Sequence, residues 1–243
     1  MAKTDYVRLG QTLVDLLGLE VPPVAISFVD ALPPDVARPD WAFPPPTPDG
    51  RTGAVSAGCV FWVMATRRQF ATIAVDHGNC SVGSLTHGFK TLAEAAKGVD
   101  VANLVNANWV APEIFPKITT VARKPGAIVY GPLTETTLHP DVVFVRLDGK
   151  QLMKVHTAYP DLRFEGKPQC HIIAIAKEHG VLAASTGCAL SRQRTGIPDS
   201  EITCAVPGHR LTELVERLKS VQAADLRVTA YAREDAARFP AIA

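Results

Sequence analysis

The sequence predicts an α/β or α+β protein with a mixed sheet and flanking helices. Short runs rich in β-branched residues alternate with stretches of helical periodicity along the whole chain. The composition, with 47% hydrophobic and 20% charged residues, is that of a globular protein. A length of 243 residues fits a single globular domain over 1–243, and it equally fits two similar lobes of about 1–135 and 136–243.

The first half begins with a helix and a strand. Leu9, Leu13 and Leu16 recur at helical spacing, which predicts a helix over 4–18. The predicted elements that follow are a strand at 24–29, a helix at 60–68 and a strand at 70–75.

A proline-rich segment interrupts these elements at 31–57. It has seven prolines between positions 33 and 48, so it can form neither a helix nor a central strand. We interpret it as a long loop or arm, which either covers a site or merely connects two elements.

The second half repeats the alternation of strands and helices. Leu211, Leu214 and Leu218 mark a helix with one apolar face. The other predicted elements are strands at 127–130, 142–145, 181–185, 202–206 and 226–231, and a helix at 171–178.

The two halves share one spacing. Cys59 precedes the strand that opens at Phe70 by eleven positions, and Cys170 precedes the strand that opens at Val181 by the same eleven. Each strand then leads into a loop with another cysteine. This pattern predicts two related halves that arose by internal duplication.

Charge and motifs exclude several functions. Lys plus Arg (25) nearly equals Asp plus Glu (24), which argues against a nucleic-acid surface. We find no signal peptide, and no apolar run approaches the roughly 20 residues that cross a bilayer, so a cytoplasmic protein without membrane contact is predicted. No nucleotide-cofactor motif or nucleophile elbow is present. A small molecule is the expected ligand, and homodimer formation is left open.

The five cysteines are the main candidates for chemistry. Their odd number, their dispersal and the absence of an export signal argue against disulfides. Cys59, Cys80 and Cys188 have glycines close by, as close approach of the backbone to a bound group requires. Cys170 and Cys204 lie beside or within apolar runs, so both are predicted to be buried as small apolar residues.

The loop 76–83 carries the densest set of reactive groups. Asp76, His77 and Cys80 follow a predicted strand and precede a predicted helix, and Gly83 completes the loop. Helix N-termini favour thiolates, so Cys80 is a candidate ligand or nucleophile, with Asp76 and His77 as catalytic groups beside it. The alternative is a capping loop in which Cys80 only packs.

These residues suggest a metal centre. Cys59, Cys80 and Cys188 would hold a 4Fe-4S cluster and leave one iron open to a substrate, with Gly83 beside the cluster. Zinc or a single iron bound by two or three of these thiolates and His77 is the competing possibility. If the protein is an enzyme, we expect a lyase, a transferase or a reductase.

The chain resembles the family called domain of unknown function 169. The resemblance rests on the opening strand Pro-Val-Ala-Ile-Ser-Phe, on Cys59, on the loop 76–83 and on the Gly187-Cys188 loop before Gly196-Ile197-Pro198-Asp199. It implies where the site lies but not which reaction occurs there.

Two other functions remain open. One is a metal-free binding module in which Trp41 or Phe43 of the arm stacks on the ligand. The other is a thiol enzyme with Cys80 as nucleophile and His77 as base.

Overall fold

A seven-stranded sheet organises residues 5–39 and 57–239, the parts of the chain that the computed structural model describes. The strand order is β2-β3-β1-β4-β7-β6-β5, and neighbouring strands are antiparallel except for the parallel pair β5–β6. The predicted mixed sheet with flanking helices is confirmed. The strands are β1 Val24–Val29, β2 Phe70–Thr72, β3 Ala127–Pro132, β4 Val142–Leu147, β5 Arg163–Glu165, β6 Ala183–Ser185 and β7 Ile202–Pro207.

Helices cover both faces of this sheet. They are α1 Tyr6–Leu17, α2 Gly58–Met64, α3 Ser81–Thr86, α4 Leu92–Ala95, α5 Val99–Asn106, α6 Gly149–Ala158, α7 His171–His179, α8 Ala189–Thr195 and α9 Leu211–Ala236. Short 3₁₀ helices occur at Ala74–His77, Pro112–Lys117, Leu133–Glu135 and Gly208–Arg210. Within the described residues, no helix combines the length and the apolar character needed to cross a membrane.

The side chains of β4 show how the sheet divides the core. Val143, Val145 and Leu147 point to one face, where they pack with α1, α6 and α9. Val142 and Phe144 point to the other face, where they pack with α2 and α7. Successive residues of a strand face opposite sides of the sheet, so each central strand contributes to both layers of the core.

The predicted last strand at 226–231 is wrong, because these residues continue α9. The β-branched pair Val228-Thr229 and Tyr231 suggested a strand. However, no glycine or proline interrupts 211–236, and the helix formers around these residues sustain the helix. Both Val228 and Tyr231 are more than 60% exposed, so no sheet packing competes with the helix.

The segment between β1 and α2 is described only in part. Val36 packs against Ala71, and the carbonyl of Ala37 accepts a hydrogen bond of 3.0 Å from the Ala71 N–H. The start of the predicted arm therefore lies along β2. Trp41 and Phe43 fall within 40–56, outside the described residues.

The two halves of the chain occupy matching places in the sheet. β1 and β4 pair at its centre, β3 and β7 flank them, and β2 and β6 lie outside those. The registers match as well, since Val24 of β1 pairs with Pro132 at the end of β3, and Val142 of β4 pairs with Pro207 at the end of β7. Duplication requires such an arrangement, but a common origin of the halves stays a prediction.

Candidate functional site

Four of the five cysteines line one cavity on the α2 and α7 side of the sheet. This cysteine cavity has a volume of about 50 Å³, enough for several water molecules. Each half of the chain contributes two of these thiols. They are Cys59, Cys80, Cys170 and Cys188.

Each of these cysteines lies at the beginning of a helix. Cys59 is in the first turn of α2. Cys80, Cys170 and Cys188 are the residues immediately before α3, α7 and α8. The backbone N–H groups of a first helical turn have no partner inside the helix, so they can donate hydrogen bonds to sulfur.

Cys80 shows such a bond. Its Sγ accepts a hydrogen bond of 3.3 Å from the Gly83 N–H, one turn further along α3. A Cβ at position 83 would lie 3.4 Å from the same sulfur, which is an ordinary van der Waals contact. Asp100 of α5 supports this turn by accepting a bond of 2.8 Å from the Ser81 N–H.

The loop that carries Cys188 is held by Arg192. The preceding residue, Gly187, has a φ of 108°, in the left-handed region where glycine is strongly favoured. The guanidinium of Arg192 donates hydrogen bonds of 2.6 and 2.7 Å to the carbonyls of Thr186 and Glu201. These contacts fix the backbone on both sides of the cysteine.

Cys170 is the ligand candidate that our sequence analysis missed. It borders an apolar run and was therefore assigned to the core, but its side chain faces the cysteine cavity. Its counterpart by the eleven-residue spacing is Cys59, and that spacing was the available signal. By contrast, Cys204 is 1% exposed and packs on the opposite face of the sheet.

Burial keeps three of the four cavity thiols protonated. It raises the pKa of Cys59, raises the pKa of Cys80 to about 11 and raises the pKa of Cys170 well above its ordinary value. The position of Cys80 at a helix N-terminus predicts a thiol that ionises easily, but its buried surroundings do not support this prediction. A bound cation would reverse this preference, because metal coordination deprotonates thiols.

Arg194 brings a positive charge to the cavity. It lines the wall near Cys59 and Cys80, and its Nη2 donates a hydrogen bond of 3.0 Å to the carbonyl of Asn79. Burial alone would lower the pKa of Arg194, but its electrostatic interactions and hydrogen bonds with the side chains of Cys80 and Cys59 outweigh burial and raise it. Among the described residues it forms no ion pair with a carboxylate.

Asp76 and His77 do not line the cavity. The carboxylate of Asp76 is fully buried and forms an ion pair with Arg38 at 2.6 Å. His77 Nε2 lies 2.9 Å from Thr72 Oγ1. Burial and the neighbouring His87 hold the pKa of His77 well below its usual range, so its imidazole is neutral. Both residues instead shape the turn that leads to Cys80.

No three His, Cys, Asp or Glu side chains within 5–39 and 57–239 are grouped closely enough to hold one metal ion. The cavity thiols surround a space and do not meet at a point. What they can do chemically therefore depends on a group that fills the cavity.

Comparison with known proteins places the chain in a family. No curated protein and no solved structure matches it. The model of the family domain of unknown function 169, described as an uncharacterised ArCR, matches residues 12–217. The match includes all four cavity cysteines and all seven strands of the sheet. The chain belongs to the domain of unknown function 169 family.

Proposed function

We propose that this protein binds an iron–sulfur cluster in the cysteine cavity, with Cys59, Cys80, Cys170 and Cys188 as ligands. The observation that carries the proposal is the convergence of four thiols, two from each half of the chain, on one cavity. Thiolates are the usual ligands of iron–sulfur clusters, and a 4Fe-4S cluster takes four of them.

The surroundings of the thiols suit such a group. The rest of the wall is mostly apolar, with side chains such as Trp62, Val82 and Ile118. These side chains would exclude water from iron and sulfide. Arg194 would offset part of the negative charge that the thiolates confer, and the Gly83 N–H would stabilise the sulfur of Cys80.

The number of ligands bears on the function. The glycine-flanked cysteines of the sequence predict three thiolates and one iron open to a substrate, whereas Cys170 supplies a candidate for the fourth position. A cluster with four thiolates supplies one-electron redox chemistry and has no iron free to bind a substrate. We therefore propose a redox role toward a small molecule that binds beside the cluster.

The test is metal analysis of protein purified without oxygen. We expect about four iron and four sulfide per chain together with broad visible absorption, as the proposed 4Fe-4S cluster requires. A colourless protein free of iron, or one that contains only zinc, would contradict the proposal.

A pair of cysteine variants tests the fourth ligand. Cys170→Ser should lower the iron content or change the spectrum, because it removes a thiolate from the cavity. The matched control, Cys204→Ser, removes a thiol from the opposite face of the sheet and should keep the cluster. If the Cys170→Ser protein kept the normal iron content and spectrum, Cys170 would not be a ligand. That result would favour the three-thiolate site with an open iron.

A further inference from the structure

A second, larger cavity adjoins the cysteine cavity. This outer cavity has a volume of about 300 Å³, at the lower end of the range for small-molecule sites. It lies between α5 and α8. Four residues belong to the walls of both cavities: Leu104, Trp109, Leu190 and Arg194.

Arg194 is the charged group at this shared wall. A guanidinium has five N–H donors, and the recorded backbone bond to Asn79 uses one of them. The thiols of Cys59 and Cys80 also lie within reach of this group. In the part of the chain that the structure describes, no carboxylate pairs with it, so donors remain for an anion in the outer cavity.

The other walls favour an apolar molecule with a single negative charge. Leu104, Leu190 and the ring of Trp109 form apolar surface. Lys167 holds Trp109 in place, since its Nζ donates a bond of 2.6 Å to the Trp109 carbonyl and lies 3.6 Å from the ring centroid. Asp100 also lines the cavity, and its carboxylate would repel a second negative charge on the ligand.

We propose that the outer cavity binds a small organic molecule with one carboxylate, which pairs with Arg194 while its apolar part packs against Trp109. Arginine is suited to this role because its planar group can donate two parallel hydrogen bonds to a carboxylate. The binding itself needs only the residues of the outer cavity. That such a ligand would lie beside a cluster rests on the proposed function.

The experiment uses benzoate as the probe and benzamide as its neutral analogue. Both are titrated calorimetrically into the full chain as purified, with its iron content measured in the same sample, and again after removal of metal. We expect benzoate to bind and benzamide to bind at least about tenfold more weakly, since a charge-assisted hydrogen bond is the stronger kind.

Three variants locate the binding. Arg194→Gln should weaken benzoate binding by roughly ten- to a hundredfold, whereas Arg227→Gln, which removes the same charge from an exposed position on α9, should leave it unchanged. Ala107→Trp should also block benzoate, because Ala107 is an exposed residue of the outer cavity wall and the larger side chain fills the space.

The outcomes separate the two proposals. Absence of benzoate binding, equal binding of benzamide, or normal binding by Arg194→Gln or Ala107→Trp would overturn the carboxylate site, whatever the iron content. Benzoate binding by protein that contains no iron as purified would support the carboxylate site and contradict the cluster, whereas binding after removal of metal bears only on the carboxylate site.

Discussion

His87 is buried as a neutral imidazole behind the cysteine cavity, and this predicts a specific loss of stability in acid. The ring is 1% exposed, and its Nδ1–H donates a hydrogen bond of 2.6 Å to the carbonyl of Gly83. Its Nε2 is buried and has no hydrogen-bond partner among the described residues. Burial lowers the pKa of His87 to about 4.

The magnitude follows from the difference between the two states. Below pH 6.5 the unfolded chain takes up a proton at His87, while the folded chain does so only near pH 4. The free energy of unfolding therefore falls as the pH is lowered from 6.5 to 4. The slope is about 1.4 kcal/mol per pH unit, so the loss approaches about 3 kcal/mol.

Urea unfolding followed by circular dichroism between pH 8 and pH 4 measures this slope. His87→Gln cannot be protonated, so its stability should fall less steeply than that of the original protein in the same window. His156→Gln changes an exposed histidine of α6 and should keep the original slope. The neighbouring His77 is present in every protein compared, and His87 helps to lower its pKa, so the difference reports the loss of His87 together with that coupling. Equal slopes for His87→Gln and the original protein would refute the argument.

Three further predictions concern packing and thiol reactivity. Leu13→Ala should lower the free energy of unfolding by about 2–5 kcal/mol because Leu13 is fully buried, whereas Val7→Ala on the exposed face of α1 should have little effect in the same urea assay. Gly208→Ala should cost about 1–3 kcal/mol, since a Cβ there would collide with the Pro140 carbonyl, while Gly149→Ala meets nothing nearby. At pH 8, alkylation of Cys80 in metal-free protein, monitored by mass spectrometry, should be slower than alkylation of a free thiol, because the pKa of Cys80 is about 11. Rapid and selective alkylation of Cys80 would instead favour the thiol-enzyme hypothesis.

Local patterns were enough to predict much of the fold. The apolar residues of α1 and of the start of α9 recur at helical spacing, and the strand at 24–29 is a short, mostly apolar run with β-branched residues. The strand at 226–231 failed because β-branched residues also occur on exposed helices, where no packing decides the outcome. Strand order cannot be read from one sequence, because it depends on contacts between residues far apart in the chain.

Local sequence patterns also predicted part of the candidate site. Glycine neighbours selected Cys59, Cys80 and Cys188 as ligand candidates, and all three line one cavity, while their binding of a metal or cluster stays a prediction. Cys170 was missed because its apolar neighbours belong to α7, whose inner face is core, while Cys170 itself precedes the helix and borders the cavity. Arg194 could not be recognised either, since an arginine at the end of an amphipathic helix usually faces solvent.

The origin of the cavity thiols has a consequence for how the chain would mature. Cys59 and Cys80 lie on the β2 side of the sheet, while Cys170 and Cys188 lie 90 or more residues later on the β6 side. No cofactor could be loaded onto a nascent chain until α7 and α8 had been synthesised and docked. Once loaded, a group held by all four thiols would act as a cross-link that closes a long loop, so its removal should lower the free energy of unfolding of the whole domain.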